Sequence, residues 1–396
     1  MDQILHSNKS SVILRSLPAQ SVENLSYGFS ASFPILAKNY RELPSDNTIS
    51  GSPEGQDVTF KLNKAFLLRN MQIRTAYTTT TTGMAATQPV GLQMFEWIEL
   101  RSNNTVLCRL SDAYIQARVR QGRCDEAVAM YSRALPLLPT TELLAATTDA
   151  SCVTYTPIFN EFFESFRNHL DLSFVEQIQI VARFNTAARA GFNQALSGAT
   201  CTLWNWTYDI DPKAKDVLLA QNYLPRTPLS MYSYSTATEK VVCSGTTTNT
   251  YRLSTNFPVT TTYVMLRDNT AAGLGAYRRI DKMTFSIQGN ALLENVPRNV
   301  VNYESELLGT GTIIPGTLST VVREPPKFLV IHWNMDPKDH TYNSGGLSMS
   351  TINYASITIT HETVTAANTD FIVVHEYAQL LSIDSENGMC TVSQNQ

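Results

Sequence analysis

The sequence predicts an all-β protein built from two strand-rich halves. Three observations carry this. Apolar and polar residues alternate with a period of two in short runs, as in Met283, Phe285 and Ile287 against Thr284, Ser286 and Gln288. Gly, Pro, Asn and Ser clusters punctuate these runs. The same order of strand, tight turn and strand then recurs on both sides of a Pro- and Ser-containing stretch, Asp211 to Thr236, that has no sustained period.

Composition bounds the answer. The chain has 396 residues and is 43% apolar, enough for one large domain or two of about 200 residues. Its formal net charge is −4 and only 16% of residues are charged. No basic tail or Lys/Arg stripe appears, which argues against direct, sequence-specific binding of nucleic acid. No apolar run approaches the ~20 residues that span a bilayer. The first twenty residues lack the apolar centre of a signal peptide. Cys108, Cys124, Cys152, Cys201, Cys243 and Cys390 are scattered, with no CxxC and no zinc spacing, and are expected to be reduced, mostly buried thiols made in a cytoplasm. The sequons at Asn8, Asn24, Asn103 and Asn205 are then chance matches.

Taken in order, residues 1–50 read as an N-terminal arm. Ile4, Leu5, Val12, Ile13 and Leu14 would dock it beneath or between subunits, and a frayed terminus is the alternative. Val58, Phe60 and Leu62 alternate with Thr59 and Lys61 and give the first strand; Phe66 to Tyr77 gives a second. Thr78 to Thr82 and Gly83 are expected to form an exposed loop. Leu92 to Leu110 is a hairpin turning at Ser102-Asn103-Asn104, and Ser111 caps a short helix over Asp112 to Arg120. Asp125 to Leu144 reads as a loop with helical turns, ended by Pro136 and Pro139. Val153 to Phe159 is a strand. Phe162, Phe163 and Phe166 mark a helical turn or packed loop. Ile178, Ile180, Ala182 and Phe184 form the next strand. Trp204, Trp206 and Tyr208 share one strand face, expected to be core or an interface between sheets.

The second half repeats the pattern. Strands are expected around Phe257-Pro258-Val259 and Tyr263 to Leu266, and Thr246 to Thr248 and Thr260 to Thr262 resemble the earlier threonine run. Met283 to Ile287 is a strand ending in a turn at Gly289-Asn290. Gly309 to Gly316 is a flexible loop. Phe328 to Trp333 is apolar on both faces, so it reads as a strand buried on both sides. A turn-rich connection through Asp336-Pro337 and Ser344-Gly345-Gly346 leads to a half-buried strand at Ile357 and Ile359. The last strand runs from Phe371 to Ile383 and stops near Gly388-Met389.

Five of these pieces, between Val58 and Met389, resemble the double jelly-roll major capsid proteins of DNA viruses: nucleocytoplasmic large viruses, polinton-like viruses and the related tailless phages. The likeness rests on Asn334, Asp336, Pro337, Ser344, Gly345, Leu347, Ser350, Ile352 and Asn353. It extends to Trp97-Ile98-Glu99-Leu100 with Asn103-Asn104 and the helix after it, to Arg167-Asn168 and Leu170, and to Tyr377 through Met389. Asn103-Asn104 stands where the family has Gly-Gly, and the family's Pro-Gly pair is missing near His169.

The resemblance implies two tandem eight-stranded antiparallel jelly rolls with short helices in loops. The expected division is an arm at 1–50, a first roll at 51–212, a linker at 213–234, a second roll at 235–390 and a tail at 391–396. It also implies a homotrimer forming pseudo-hexagonal capsomers that tile an icosahedral virion shell, often over an internal membrane. Its partners would be neighbouring capsomers and minor capsid or penton proteins, after synthesis in the host cytoplasm. No interface residue is assigned.

Enzyme templates find no support. His332, Asp336, Asp339 and His340 cluster in sequence but lie across a turn, where solvated charges are the expected reading. His361-Glu362 and His375-Glu376 are too short for H-E-x-x-H, no phosphate loop or G-x-S-x-G elbow is present, and no catalytic residue, cofactor or metal ligand is assigned. The rival readings are a carbohydrate-binding or carbohydrate-cleaving jelly roll, with Trp204 and Trp206 in a groove, and a minor vertex or spike protein of the same virion type.

Overall fold

The computed structural model describes residues 35–62, 67–79, 89–120, 127–145, 149–158, 177–192, 194–210, 229–243, 246–268, 276–303, 312–315, 321–324, 327–335, 345–349, 352, 354–363, 369–383 and 389–393. The first eight strands are β1 (Ile35–Pro44), β2 (Asp57–Lys61), β3 (Leu67–Thr79), β4 (Phe95–Ser102), β5 (Thr105–Ser111), β6 (Ser151–Pro157), β7 (Ile178–Phe184) and β8 (Leu196–Ile210). They make two four-stranded antiparallel sheets, ordered β1-β8-β3-β6 and β2-β7-β4-β5. Distributing successive strands between two facing sheets in this order is a jelly roll.

The second half contains β9 (Leu229–Val242), β10 (Thr248–Leu253), β11 (Pro258–Asp268), β12 (Ala276–Arg278), β13 (Ile280–Ile287), β14 (Asn290–Pro297), β15 (Thr312–Pro315), β16 (Val321–Glu324), β17 (Leu329–His332), β18 (Leu347–Ser348), β19 (Ala355–His361), β20 (Thr369–Ile383) and β21 (Cys390–Ser393). The order β10-β19-β13-β14 repeats β2-β7-β4-β5. In the facing sheet β20 lies between β9 and β11, and β17, β18 and β12 line the far edge of β11. Strands β9, β20, β11 and β17 thus hold the places of β1, β8, β3 and β6. The fold is a double jelly roll.

Alternation explains each core. In the first roll Val58, Phe60, Ile98, Leu100, Ile180 and Ala182 face Ile73, Tyr77, Cys201 and Leu203. In the second, Met283, Phe285, Ile357 and Ile359 face Val264, Leu266, Phe371 and Val373. The intervening residues of β11 and β20, Tyr263, Met265, Ile372 and Val374, point the other way and are buried in the first roll's cluster. Strands β20 and β11 are therefore covered on both faces, and the two rolls are packed directly against each other.

Turn chemistry matches the expected hairpins. Asn103 takes φ +51°, the left-handed region that Asn tolerates. The counterpart between β13 and β14 turns at Gln288 and Gly289, with φ of +52° and +85°, one residue earlier than the expected Gly289-Asn290. Helix α1 (Asp112–Arg120) is capped by Ser111, whose Oγ accepts the Tyr114 N–H at 3.2 Å. Asp125 to Leu144 holds a true helix, α2 (Ala127–Ala134).

Several expectations change. Residues 35–44, placed in the arm 1–50, form β1 and pair with β8. Residues 229–234, placed in the linker, open β9, and 391–393 of the tail belong to β21. Each of these strands acquires its hydrogen bonds from a partner distant in sequence, so no local period marks it. Thr78 and Thr79 belong to β3, and Thr79 is buried, its N–H donating to the Ala150 carbonyl at 2.9 Å. Thr260 to Thr262 are fully buried in β11, a single strand from Pro258 onward. The stretch expected as a loop at Gly309 to Gly316 contains β15, paired with β16. Ile287 is only half buried. Phe162, Phe163, Phe166, Arg167, Asn168 and Leu170 lie outside the described residues.

Two substitutions test this packing. Ile180 is 1% exposed, and Ile180→Ala should cost about 2–5 kcal/mol in denaturant unfolding. A Cβ on Gly91 would stand 2.5 Å from both the Tyr155 carbonyl and Thr154 Oγ1. Because backbone cannot retreat, Gly91→Ala should cost about 1–3 kcal/mol by the same measurement.

Candidate functional site

The joint between the rolls concentrates most of the buried charge. It is built on α1 and β5 from the first roll and on β9, β20 and β11 from the second. Asp112 opens α1, and its Oδ1 accepts the Ala113 N–H at 2.7 Å while Oδ2 accepts Asn185 Nδ2 at 2.8 Å. Oδ2 also receives the guanidinium of Arg267, which is 1% exposed. Arg267 Nη2 lies 4.0 Å from Asp370 Oδ2, and Asp370 has Arg189 at 3.7 Å and Lys240 at 3.6 Å. Burial works to lower the Arg267 pKa, but Asp112 and Asp370 outweigh it and the net shift is upward. Lys240 moves down, first through burial and then through Arg267 and Arg189.

A second link runs through Tyr114. Its hydroxyl donates to Glu376 Oε2 at 2.8 Å, accepts from Arg118 at 2.5 Å, and its ring meets Tyr263 edge-on at 5.6 Å. Thr260 Oγ1 donates to the Glu376 carbonyl at 3.1 Å. The main chain of β5 joins in: Arg109 N–H donates to Ser235 Oγ at 3.1 Å, Thr236 Oγ1 to the Arg109 carbonyl at 2.6 Å, and Gln379 Nε2 to the Leu107 carbonyl at 2.5 Å. Beside the joint lies a cavity of about 760 Å³, bordered by Trp97, Arg109, Lys240, Arg267 and Tyr377. Trp97 sits under Arg101 and Arg109, both of which pair with the fully buried Glu99.

The histidines singled out by sequence have structural partners. His332 Nδ1 is 3.3 Å from Thr261 Oγ1. His361 Nε2 is 2.9 Å from Asn249 Nδ2, and its Nδ1–H donates to the Glu362 carbonyl at 2.6 Å. Asp336, Asp339 and His340 lie outside the described residues. Among the described residues no three metal-ligating side chains gather. Cys108, Cys152, Cys201 and Cys243 are buried free thiols; burial pushes Cys108 and Cys201 up to about 12 and Cys152 to about 11.

The Trp204–Trp206 face is a correction. The core side of β8 carries Cys201, Leu203, Asn205 and Thr207, all buried, and the tryptophans point outward and are half exposed. Tyr40 of β1 covers them, with ring centroids at 4.8 Å from Trp204 and 4.5 Å from Trp206. A cavity of about 360 Å³ opens beside them, bordered by Tyr40, Gln72, Met130, Arg133, Tyr155 and Trp206. Size alone pointed inward; the register with β1 and β3 decides the face. Sequence reasoning also missed the Asp112, Arg267 and Asp370 set. Its one visible signal was an arginine closing the apolar run Tyr263 to Leu266.

No family model matches the chain, and no curated protein matches it. Among solved structures the whole chain is similar to the PBCV-1 virus capsid, with a TM-score of 0.66 at 11% identity over 93% of this chain and 100% of that one. It is similar to the Faustovirus major capsid protein at 0.60 and 10% identity, over 97% and 98% of the two chains. It is similar to the mavirus major capsid protein at 0.56 and 10% identity, over 94% and 93%. At such identities the likeness is one of fold, and it covers both rolls.

His375 provides a pH test of the second roll. Thr262 Oγ1 accepts Trp333 Nε1–H at 2.9 Å and lies 3.1 Å from His375 Nδ1. The imidazole Nε2 lies 3.7 Å from Glu239 Oε1. Burial pushes its pKa down to about 4, against the pull of Glu239. An unfolded histidine titrates near ~6.5. Between these values the unfolded chain binds the extra proton, so stability falls as pH drops below ~6.5, by up to ~1.4 kcal/mol per unit. Urea unfolding from pH 7 to 5 should show this slope in the parent and a shallower one in His375→Gln.

Proposed function

We propose that this chain is the major capsid protein of a DNA virus. Three copies form a pseudo-hexagonal capsomer of six rolls, and these blocks tile an icosahedral shell. One observation carries the reading: two jelly rolls joined face to edge as one body, in a fold shared end to end with the capsid proteins of PBCV-1, Faustovirus and mavirus. The physical requirements of tiling fit the chain. A block that packs against many copies of itself needs self-complementary flanks and little net charge to repel, and −4 over 396 residues is little. On this reading the partners are neighbouring capsomers and minor capsid or penton proteins, often with an internal membrane beneath. The protein is made in the host cytoplasm and resides in the virion. No residue has a catalytic role.

One observation favours a second reading. Tyr40, Trp204 and Trp206 form a half-exposed aromatic face beside a cavity that offers Gln72 and Arg133, a combination suited to a sugar ring.

Light scattering on the purified chain separates the two. The capsid reading expects three chain masses and closed particles by electron microscopy. A species of one chain mass that binds oligosaccharide, and loses that binding without unfolding in Trp204→Ala and Trp206→Ala, would replace it.

A further inference from the structure

The chain itself shows how one roll docks on another. A roll presents an edge, made in the first roll of its fifth strand and the helix that follows, and offers a receiving face, the outer side of the sheet holding its first, third and eighth strands. Within the chain, the first roll's edge (β5 and α1) sits on the second roll's face (β9, β20 and β11). That leaves one edge and one face without a partner roll among the described residues. They are β14 with its helical turn Arg298–Val301, and the outer side of β1, β8 and β3.

Equivalent positions differ in burial as an unused joint requires. Counted from the first residue of each helix, Val300 holds the place of Tyr114. Tyr114 is 0% exposed and Val300 is 57% exposed, with Leu292 and Tyr303 nearby at 53% and 60%. On the receiving side β8 holds the place of β20. Ile372 and Val374 of β20 are covered by the first roll, whereas Trp204 and Trp206 of β8 stay half exposed and Tyr40 is 39% exposed. The cavity of about 360 Å³ beside Tyr40 gives an incoming side chain a place to enter. Arg133 on this face, which already pairs with Glu142 at 3.7 Å, and the exposed Glu294 on the edge are of opposite sign.

We propose that the second roll's edge, through Leu292, Val300 and Tyr303, docks on the Tyr40–Trp204–Trp206 face of a second copy of this chain. This rests on the self-assembly reading above and adds the residues and the direction. The two surfaces differ, so the contact is head-to-tail, and copies add in one sense until the ring closes. Leu292, Val300 and Tyr303 are the anchors, and the aromatic face with its cavity is their socket.

Head-to-tail docking has a signature that a symmetric contact lacks. In the full chain, Val300→Asp with Tyr303→Asp removes the edge, and Tyr40→Asp with Arg133→Glu removes the face. Light scattering should show each double variant at one chain mass where the parent shows three. Mixed one to one, they should give two chain masses and nothing larger, because each still contributes one intact surface. Thermal melting checks that both fold; if the Tyr40→Asp, Arg133→Glu variant melts without cooperativity, Trp206→Ala takes its place. A parent that is oligomeric together with variants that stay oligomeric overturns this joint and leaves the capsid reading standing. A parent at one chain mass, with or without bound oligosaccharide, overturns both.

Discussion

Strands β20 and β11 at the centre of the second roll's sheet are covered on both faces, and the rest of the structure depends on that. A jelly roll ordinarily turns one face of each sheet to its partner and the other to water. Here the second roll's own sheet covers Val264, Leu266, Phe371 and Val373, while the first roll covers Tyr263, Met265, Ile372 and Val374. Buried apolar area of this kind is worth about 25 cal/mol per Å² and is lost if the rolls separate. The second roll therefore supplies the foundation of the first roll's cluster as well as its own.

A layer without a wet face has to satisfy its polar groups internally. β11 and β20 carry Thr260, Thr261, Thr262, Arg267, Asp370, His375 and Glu376, all nearly or fully buried. Each threonine hydroxyl has a partner in the neighbouring strand or on a side chain beside it. Arg267 is held between Asp112 and Asp370, one carboxylate from each roll. Buried ion pairs contribute little net stability, yet removing one member leaves a charge uncompensated, at a cost of about 3–5 kcal/mol. Such a pair therefore fixes how the rolls sit against each other more than how strongly they hold.

The same logic separates the two tryptophans from the core. A strand between two sheets buries both sides; β8 has a packed layer on one side only among the described residues. Its inner side is filled by Cys201, Leu203, Asn205 and Thr207, and the bulky rings are left outside under Tyr40. Large apolar surface left half exposed on a sheet face marks a site of association.

The sequence by itself determined the elements whose period is local. The strands at Val58, Ile98, Ile180, Phe285, Ile359 and Phe371, the Asn103 hairpin and the Ser111 cap were legible because neighbouring residues alone set alternation, turn geometry and capping. The capsid-like strand pattern around Leu347 and Tyr377 also gave the correct fold. What only the tertiary structure decided are the features that need a partner far along the chain. β1 is a strand because β8, more than 150 residues later, pairs with it. Thr260 to Thr262 are interior because His332, His375 and Glu376 complete their hydrogen bonds. Asp112, Arg267 and Asp370 form one site because two rolls meet there. Period and propensity act over a few residues, whereas pairing, burial and charge neutralisation are properties of the closed fold.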